Sequence, residues 1–403
     1  MKTKNLTNCW PVGLLLIAGS AHADLSPYTI TASETLEHES NVSHTTVARP
    51  DWYSTTMLRG GVDQELGRER LQASAAVNFD RYKKSKLNNN GYDAQAEFDW
   101  ATVGDLSGAL GANSSRKLYV YGLDGDRVDS ERNLQTTNHA FARAQLGGVT
   151  RWTLFTGVDG SQRKYTSSAF KPDEVKQWSA HGGTRYATSP DLNFGLVGTY
   201  TKGQYPHAVG GSQDFSIKTF DATSSWQASG NSSLDLRAGW TIESNDNQGQ
   251  RHYWNGDAKW KWQAGGRTNF TFEFERDTDT DTSVGAGGTA SSDVTGHSLN
   301  TTGRFNASYE LTAKITLVGI AQYTQRRYES GTLPTQPNQP QSNAAGSNRT
   351  TQYSIAAHYL PVPNADLSCS FAHEVRRADA QIVLSTPEYT ANTALCSAQI
   401  MFR

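Results

Sequence analysis

The most informative feature of this 403-residue chain is a run that it does not have. Past the first two dozen residues, no continuous apolar stretch approaches the roughly 20 residues that a membrane-crossing helix needs, and mean hydropathy is −0.62. A bundle of membrane helices is therefore excluded. An excess of one charge is missing too: 37 Lys and Arg face 39 Asp and Glu, with no basic run, which argues against nucleic acid as a partner. Cysteine is scarce, three residues in all, and none stands at a C-x-x-C or similar metal-binding spacing. There is no G-x-S-x-G turn for a nucleophilic serine and no H-E-x-x-H pair. The ten histidines are scattered; His139, His181 and His358 fall on or near alternating segments and read as polar lumen or rim residues. The repeat Asp277-Thr278-Asp279-Thr280-Asp281 lacks the Gly and Glu of an EF-hand loop and reads as a solvated loop tip. The sequence thus offers no catalytic set, no metal site and no cofactor.

What the sequence does have is alternation. Leu234, Leu236, Ala238, Trp240 and Ile242 share one parity, with Asp235, Arg237, Thr241 and Glu243 on the other. Trp254, Ala258, Trp260 and Trp262 then alternate with Asn255, Asp257, Lys259 and Lys261, and Phe270, Phe272 and Phe274 with Thr271, Glu273 and Glu275. Side chains on a strand point to opposite faces with period two, so these are three strands, each with one aromatic face and one charged face. The charged face is too charged for a packed core. The aromatic face, were the chain a soluble sandwich or solenoid, would need a large partner surface to cover it. Lipid outside and water inside satisfies both, as in a transmembrane β-barrel.

The same pattern runs through the chain and gives about eighteen strands. Short connections such as Glu65-Leu66-Gly67-Arg68, Ser189-Pro190-Asp191 and Gly265-Gly266 alternate with long ones such as Ser43 to Pro50, Thr166 to Asp173, Asp277 to Asp293 and Gly331 to Arg349. Outer-membrane barrels have short periplasmic turns and longer outer loops. The fold expected is all-β: a single transmembrane antiparallel β-barrel of about 18 strands, in the outer membrane of a Gram-negative bacterium. Tyr82, Trp100, Trp152, Tyr186, Tyr200, Trp226 and Tyr323 fall near strand ends and suit the aromatic girdles at the two interfaces.

The ends fit this reading. Lys2 and Lys4 precede an apolar run from Val12 to Ala18, and Ala21-His22-Ala23 follows. This is a secretory signal over residues 1–23, leaving 24–403 as the barrel, with Cys9 outside any lipid-attachment position. Near the other end, Phe402 supplies the terminal aromatic residue of an outer-membrane barrel, displaced by one position. Cys369 and Cys396 lie on apolar faces of the last hairpin, where they are either bonded or simply small lipid-facing residues.

The inward parity defines the candidate pore lining: Arg59, Asp63, Asp93, Glu97, Asp99, Arg143, Arg185, Asp235, Arg237, Asp257, Lys259, Lys261, Glu273, Glu275, Arg304 and Glu310. Asp80, Glu243 and Lys314 fall on the same side in this register. Both signs occur, with acids ahead. Such a wall either cements itself through internal ion pairs or tunes what passes through a hydrated conduit. A strongly anionic polymer would call for a basic lining, so a neutral or weakly charged solute fits better.

Residues 25 to 115 carry a resemblance. Glu39-Ser40-Asn41-Val42, Asp51-Trp52, Gly60-Gly61-Val62, Gly67-Arg68-Glu69-Arg70-Leu71, Tyr82, Gly91-Tyr92, Trp100 and Gly104-Asp105-Leu106-Ser107-Gly108 are similar to the EpsL-type barrels of exopolysaccharide operons, the β-barrel porin 2 family. Members have a strand-one end of the type Asp-x-Asn followed by an apolar residue and often Arg; here it is Glu39-Ser40-Asn41-Val42 and then Ser43-His44. These motifs are structural, so no active site is carried over. The resemblance implies an outer-membrane barrel made alongside a polysaccharide synthesis and export system, with the polysaccharide and other export components as partners besides membrane lipid. The alternatives are a general diffusion porin for small solutes and a non-conducting structural or anchor barrel.

Overall fold

The structure, a computed structural model, describes residues 26–119, 132–147, 150–208, 212–245, 249–279, 284–285, 293–294, 298–329, 345–378 and 388–403. The expected signal segment 1–23, with Cys9, and most of the longest connections lie outside these residues. Eighteen strands form one sheet. They are β1 (Tyr28–Glu39), β2 (Asp51–Leu66), β3 (Glu69–Tyr82), β4 (Asn89–Ala101), β5 (Leu106–Leu118), β6 (Leu134–Leu146), β7 (Trp152–Tyr165), β8 (Val175–Ser189), β9 (Leu192–Tyr205), β10 (Gln213–Ser229), β11 (Ser232–Asn245), β12 (Gly249–Gln263), β13 (Thr268–Asp279), β14 (Ser298–Thr312), β15 (Ile315–Glu329), β16 (Ala345–Val362), β17 (Ala365–Ala378) and β18 (Tyr389–Phe402).

Each strand pairs antiparallel with the next, and β1 pairs antiparallel with β18 from Ile30 opposite Phe402 to Glu39 opposite Thr393. The sheet is therefore a closed barrel. Val284–Gly285 and Asp293–Val294 form a small separate pairing in the segment between β13 and β14. The tight turns at one end use backbone conformations that suit glycine: Gly67 at φ 71° between β2 and β3, and Gly265 at φ 85° between β12 and β13. The chain ends Tyr28 and Phe402 lie at that same, short-turn end, which is the periplasmic one.

The cross-strand register keeps apolar residues level with apolar residues. Leu234 lies opposite Trp260, Trp260 opposite Phe272, and Phe272 opposite Phe305. The Trp260 and Phe272 rings stack with centroids 5.3 Å apart, and Phe305 lies tilted against Phe272 at 4.8 Å. Leu196, Phe220 and Ile355 are each more than 60% exposed to the outside of the protein. Exposure of this kind over a whole belt is the mark of a surface that meets lipid. Aromatic residues edge the belt, with Trp152, Tyr186, Trp226 and Trp262 toward the periplasmic end and Trp178, Tyr200, Trp240, Trp254 and Tyr323 toward the outer end. The molecule is an outer-membrane β-barrel.

Cys369 lies directly opposite Cys396 on β17 and β18, and the two are joined as a disulfide. Two sequence expectations change. Tyr82 is not in a girdle: it faces inward on β3 and stacks on Tyr53, ring centroids 4.5 Å apart. It shares parity with Asp80 and Asn78, and strand parity outranks nearness to a strand end. Lys314 is not on the inner wall either. It sits in the Thr312 to Ile315 turn, and its Nζ donates to the Pro361 carbonyl at 2.8 Å.

The register makes a direct prediction. Leu236 sits between the two aromatic belts on the outer face, and Lys261 faces inward on the neighbouring strand. Leu236→Arg should destabilise the barrel by about 2–4 kcal/mol, whereas Lys261→Gln should stay within about 0.5 kcal/mol of the parent. Equilibrium folding into phospholipid vesicles, followed by tryptophan fluorescence, measures both; equal effects would overturn the assignment of faces.

Candidate functional site

Every one of the sixteen candidate lining residues falls on the strand parity opposite the exposed apolar belt. Arg59 and Asp63 lie on β2, Asp93, Glu97 and Asp99 on β4, Arg143 on β6, Arg185 on β8, and Asp235 and Arg237 on β11. Asp257, Lys259 and Lys261 follow on β12, Glu273 and Glu275 on β13, and Arg304 and Glu310 on β14. The barrel brings many of them into direct contact. Lys259 lies opposite Glu273 in the register, and their charged groups are 2.5 Å apart. Arg70 holds Asp63 in a two-pronged pair at 2.7 and 2.6 Å. Ser225 donates to Asp235 at 2.6 Å.

The densest of these contacts centre on Arg237. Its guanidinium donates to Asp257 through Nε and to Asp277 through Nη2 at 3.1 Å, with Asp221 at 3.8 Å from Nη1. Three carboxylates thus converge on one cation. Asp221 is in turn held by Asn255, whose Nδ2 donates to it at 2.9 Å, and Thr241 donates to the Asn255 carbonyl oxygen at 3.2 Å. Asn255 and Thr241 are almost wholly buried. The Asp221–Asn255 bond spans β11 at Gly239, where a Cβ would come within 2.0 Å of the Asp221 carboxylate. Glycine is needed there because the hydrogen bond occupies the space of a side chain.

A second cluster lies on β6 to β8. Asp159 faces His139 and His181, each at 3.4 Å, and Arg143 at 3.9 Å. Phe141 carries the Arg143 guanidinium over its ring at 4.3 Å. Among the described residues, no group of three or more His, Cys, Asp or Glu is placed to hold a metal.

The outer mouth is narrowed along the β5 to β10 wall. Tyr119, Tyr165 and Phe170 pack together, as do Val175, Tyr205, Ala208 and Phe215. Phe170 comes from a short 3₁₀ turn, Ser168–Asp173, inside the segment that the sequence presents only as a long loop. Glu174 next to this turn accepts from the Tyr165 backbone N–H at 3.2 Å. Aromatic residues at the inward ends of β7, β9 and β10 give Phe170 and Ala208 an apolar surface to pack against.

The sequence reading does not name Asp221, Gly239 or Asp159 as wall residues; it places Thr241 and Asn255 on the inward parity but not among the candidate lining residues. Parity could have found Asp221, which stands between outward Phe220 and Ala222. Asp277 was placed at a loop tip, but β13 runs on to Asp279, which carries Asp277 to the wall and to Arg237.

No family model matches the chain, and no curated protein matches it. The resemblance of residues 25 to 115 to EpsL-type barrels therefore gains no support from either comparison. Solved structures do match in fold. The outer membrane protein OpdK from Pseudomonas aeruginosa aligns with a TM-score of 0.50 at 11% identity, over 93% of this chain and 99% of its own. A BenF-like porin from Pseudomonas fluorescens Pf-5 aligns with a TM-score of 0.48 at 13% identity, over 93% of this chain and 98% of its own. At 11% identity the likeness to OpdK shows the fold alone, a closed β-barrel of the outer-membrane type.

Arg237→Gln leaves Asp221, Asp257 and Asp277 without their shared cation. Loss of the charged hydrogen bonds to Asp257 and Asp277, and of the cation beside the nearly buried Asp221, should cost about 1–3 kcal/mol, read as lower stability in the vesicle folding assay. The same variant should also raise the preference for cations over anions in planar bilayers. An unchanged reversal potential would mean that this cluster does not face the permeating ions.

Proposed function

We propose that the chain is a water-filled outer-membrane channel that passes small polar solutes, with neutral and cationic solutes favoured over anionic ones. The observation that carries this reading is the inner wall. Its charges are of both signs, with carboxylates ahead along β4 and along β10 to β13. Asp93, Glu97 and Asp99 stand on the first of these, and Asp221, Asp235, Asp257, Glu273, Glu275 and Asp277 outnumber Arg237, Arg251, Lys259 and Lys261 on the second. We assign the sixteen candidate residues named above to the pore lining. A ring of fixed carboxylates raises the local concentration of cations and repels anions at close range. Many weak hydrogen-bonding contacts suit passage, because tight binding at one site would hold a solute in the pore. The packed aromatic clusters at the mouth limit the size of what enters. Among the described residues no group on the wall is arranged as nucleophile and base, and the proposed role is passage without chemistry.

The resemblance over residues 25 to 115 keeps a finer reading in play, in which the barrel assists export of a neutral or weakly charged exopolysaccharide. Support for it is confined to that stretch. The wall suits hydroxyl-rich molecules in either case, and the two readings differ in resting flux.

Purified full-length protein in planar bilayers and in liposome-swelling assays decides between them. The channel reading expects steady single-channel conductance, swelling in small sugars, and a cation preference at low salt. That preference should fade near molar salt, where the screening length falls to about 3 Å. Silence in both assays would overturn the channel reading and favour a non-conducting barrel. Low resting flux, together with polymer stranded inside cells that lack the gene, would favour export.

A further inference from the structure

The outer face of β13 to β17 carries a group of arginines where a lipid-facing surface has least use for them. Arg276, Arg327, Arg349 and Arg377 share the parity of Phe274, Tyr323, Tyr353 and Phe371, so they point away from the lumen. All four lie toward the outer end of their strands. Arg349 and Arg377 are directly opposite each other, which places their Cβ atoms roughly 4.5–5.5 Å apart. Arg327 lies opposite Ser347, two residues from Arg349 on the same face, a diagonal neighbour at roughly 7–8 Å. Arg276 and Arg327 are close enough to repel one another. Arg327, Arg349 and Arg377 are exposed.

Like charges directly opposite on a sheet are destabilising; the described carboxylate beside them, Glu388, accepts from the Ala378 backbone N–H at 3.2 Å. Among residues whose side chains are described, no carboxylate shares the outer face of β13 to β17. None of the four arginines forms an ion pair with another described residue. Arg276 lies with its guanidinium over the Trp254 ring at 4.3 Å, and its Nε is buried with no hydrogen-bond partner. Trp254 belongs to the outer aromatic belt, so Arg276 is anchored where hydrocarbon gives way to headgroups. Arg349 and Arg377 stand one outward-facing position beyond Thr351 and Val375, level with the headgroups themselves. A surface at this level that gathers four guanidinium groups, with no carboxylate described on the same strand faces, is complementary to a multiply charged anion held in the membrane.

We propose that this patch binds the phosphate groups of the phosphorylated glycolipid that makes up the outer leaflet. Guanidinium groups take phosphate oxygens in pairs of parallel hydrogen bonds, and a directly opposed Arg pair offers two such forks to one headgroup. The acyl chains of the same lipid then lie along the apolar belt below, against Tyr353, Ile355 and Phe371. Basic surfaces beside transmembrane segments hold anionic headgroups in this way. The three lysines Lys176, Lys202 and Lys218 also face outward, on β8 to β10. They carry a single point charge each, and none lies directly opposite another in the register, so they provide an internal comparison.

The test uses full-length protein in detergent, with diphosphoryl lipid A, its dephosphorylated form and inorganic phosphate as separate probes, and native mass spectrometry as the readout. The parent should retain diphosphoryl lipid A and release the dephosphorylated form. The triple variant R327Q/R349Q/R377Q should lose retention at least tenfold, while K176Q/K202Q/K218Q keeps it within twofold. A shift in electrophoretic mobility on heating checks that each variant remains a folded barrel. Equal retention of the dephosphorylated glycolipid would overturn the proposal, as would equal loss in the lysine variant, which would mean diffuse attraction rather than a site. Displacement by millimolar inorganic phosphate would also overturn it, since the patch would then be a free-anion site.

Discussion

Hydrocarbon offers no hydrogen bonds, and that constraint governs everything else in this molecule. Every backbone N–H and C=O that crosses the membrane must find its partner within the protein. An open sheet fails at its two edges. Here the edges meet, because β1 pairs with β18 as well as with β2. Once the sheet is closed, each strand has one face in lipid and one in the lumen, and the period-two pattern of the sequence is the only pattern that serves both. The aromatic belts, the polar wall and the absence of a conventional apolar core all follow from closure.

The wall that closure creates is not a random polar surface. Lysine meets glutamate across β12 and β13, and Arg237 gathers aspartates from three strands. Individual pairs on such a hydrated wall contribute little to stability. Their larger effect is to fix where charge stands along the pore, since Asp63, Asp235, Asp257 and Glu273 are each tied to a neighbouring side chain. The wall thus combines two properties that a passage for solutes requires: it is wet and weakly attractive throughout, and its charges are held in place.

The barrel was legible in the sequence because its signal is repeated. Leu234, Trp260, Phe272 and Phe305 each reinforce the same parity, and a mistake in one strand would be exposed by the next. The inward positions of Asp93, Lys259 and Glu273 follow from the same count. What could not be read was contact between distant strands. Nothing around Gly239 announces that Asp221 and Asn255 meet over it, because that bond depends on register across three strands. Nor does the segment from Thr166 to Asp173 show, as a sequence, that Phe170 will pack on Tyr119 and Tyr165. Tyr82 shows the opposite error, in which nearness to a strand end was taken as a guide to a residue whose parity already sent it inward. The resemblance of the first strands to export barrels shares this limit, since shared turn and strand motifs report the architecture and leave the cargo open.

The bond between Cys369 and Cys396 has a mechanical meaning. It joins residues 27 apart in the chain and encloses the whole outer connection between β17 and β18. If the protein were drawn out by its two ends, this segment would remain folded back on itself under any load that spares the covalent link. Fully extended, 27 residues span roughly 90 Å, and that length would be missing from the stretched contour until a reductant released it. The strand that seals the cylinder is therefore attached to its neighbour by a fastening that tension alone does not undo. The seam with β1, on the other side of the same strand, has no such covalent link.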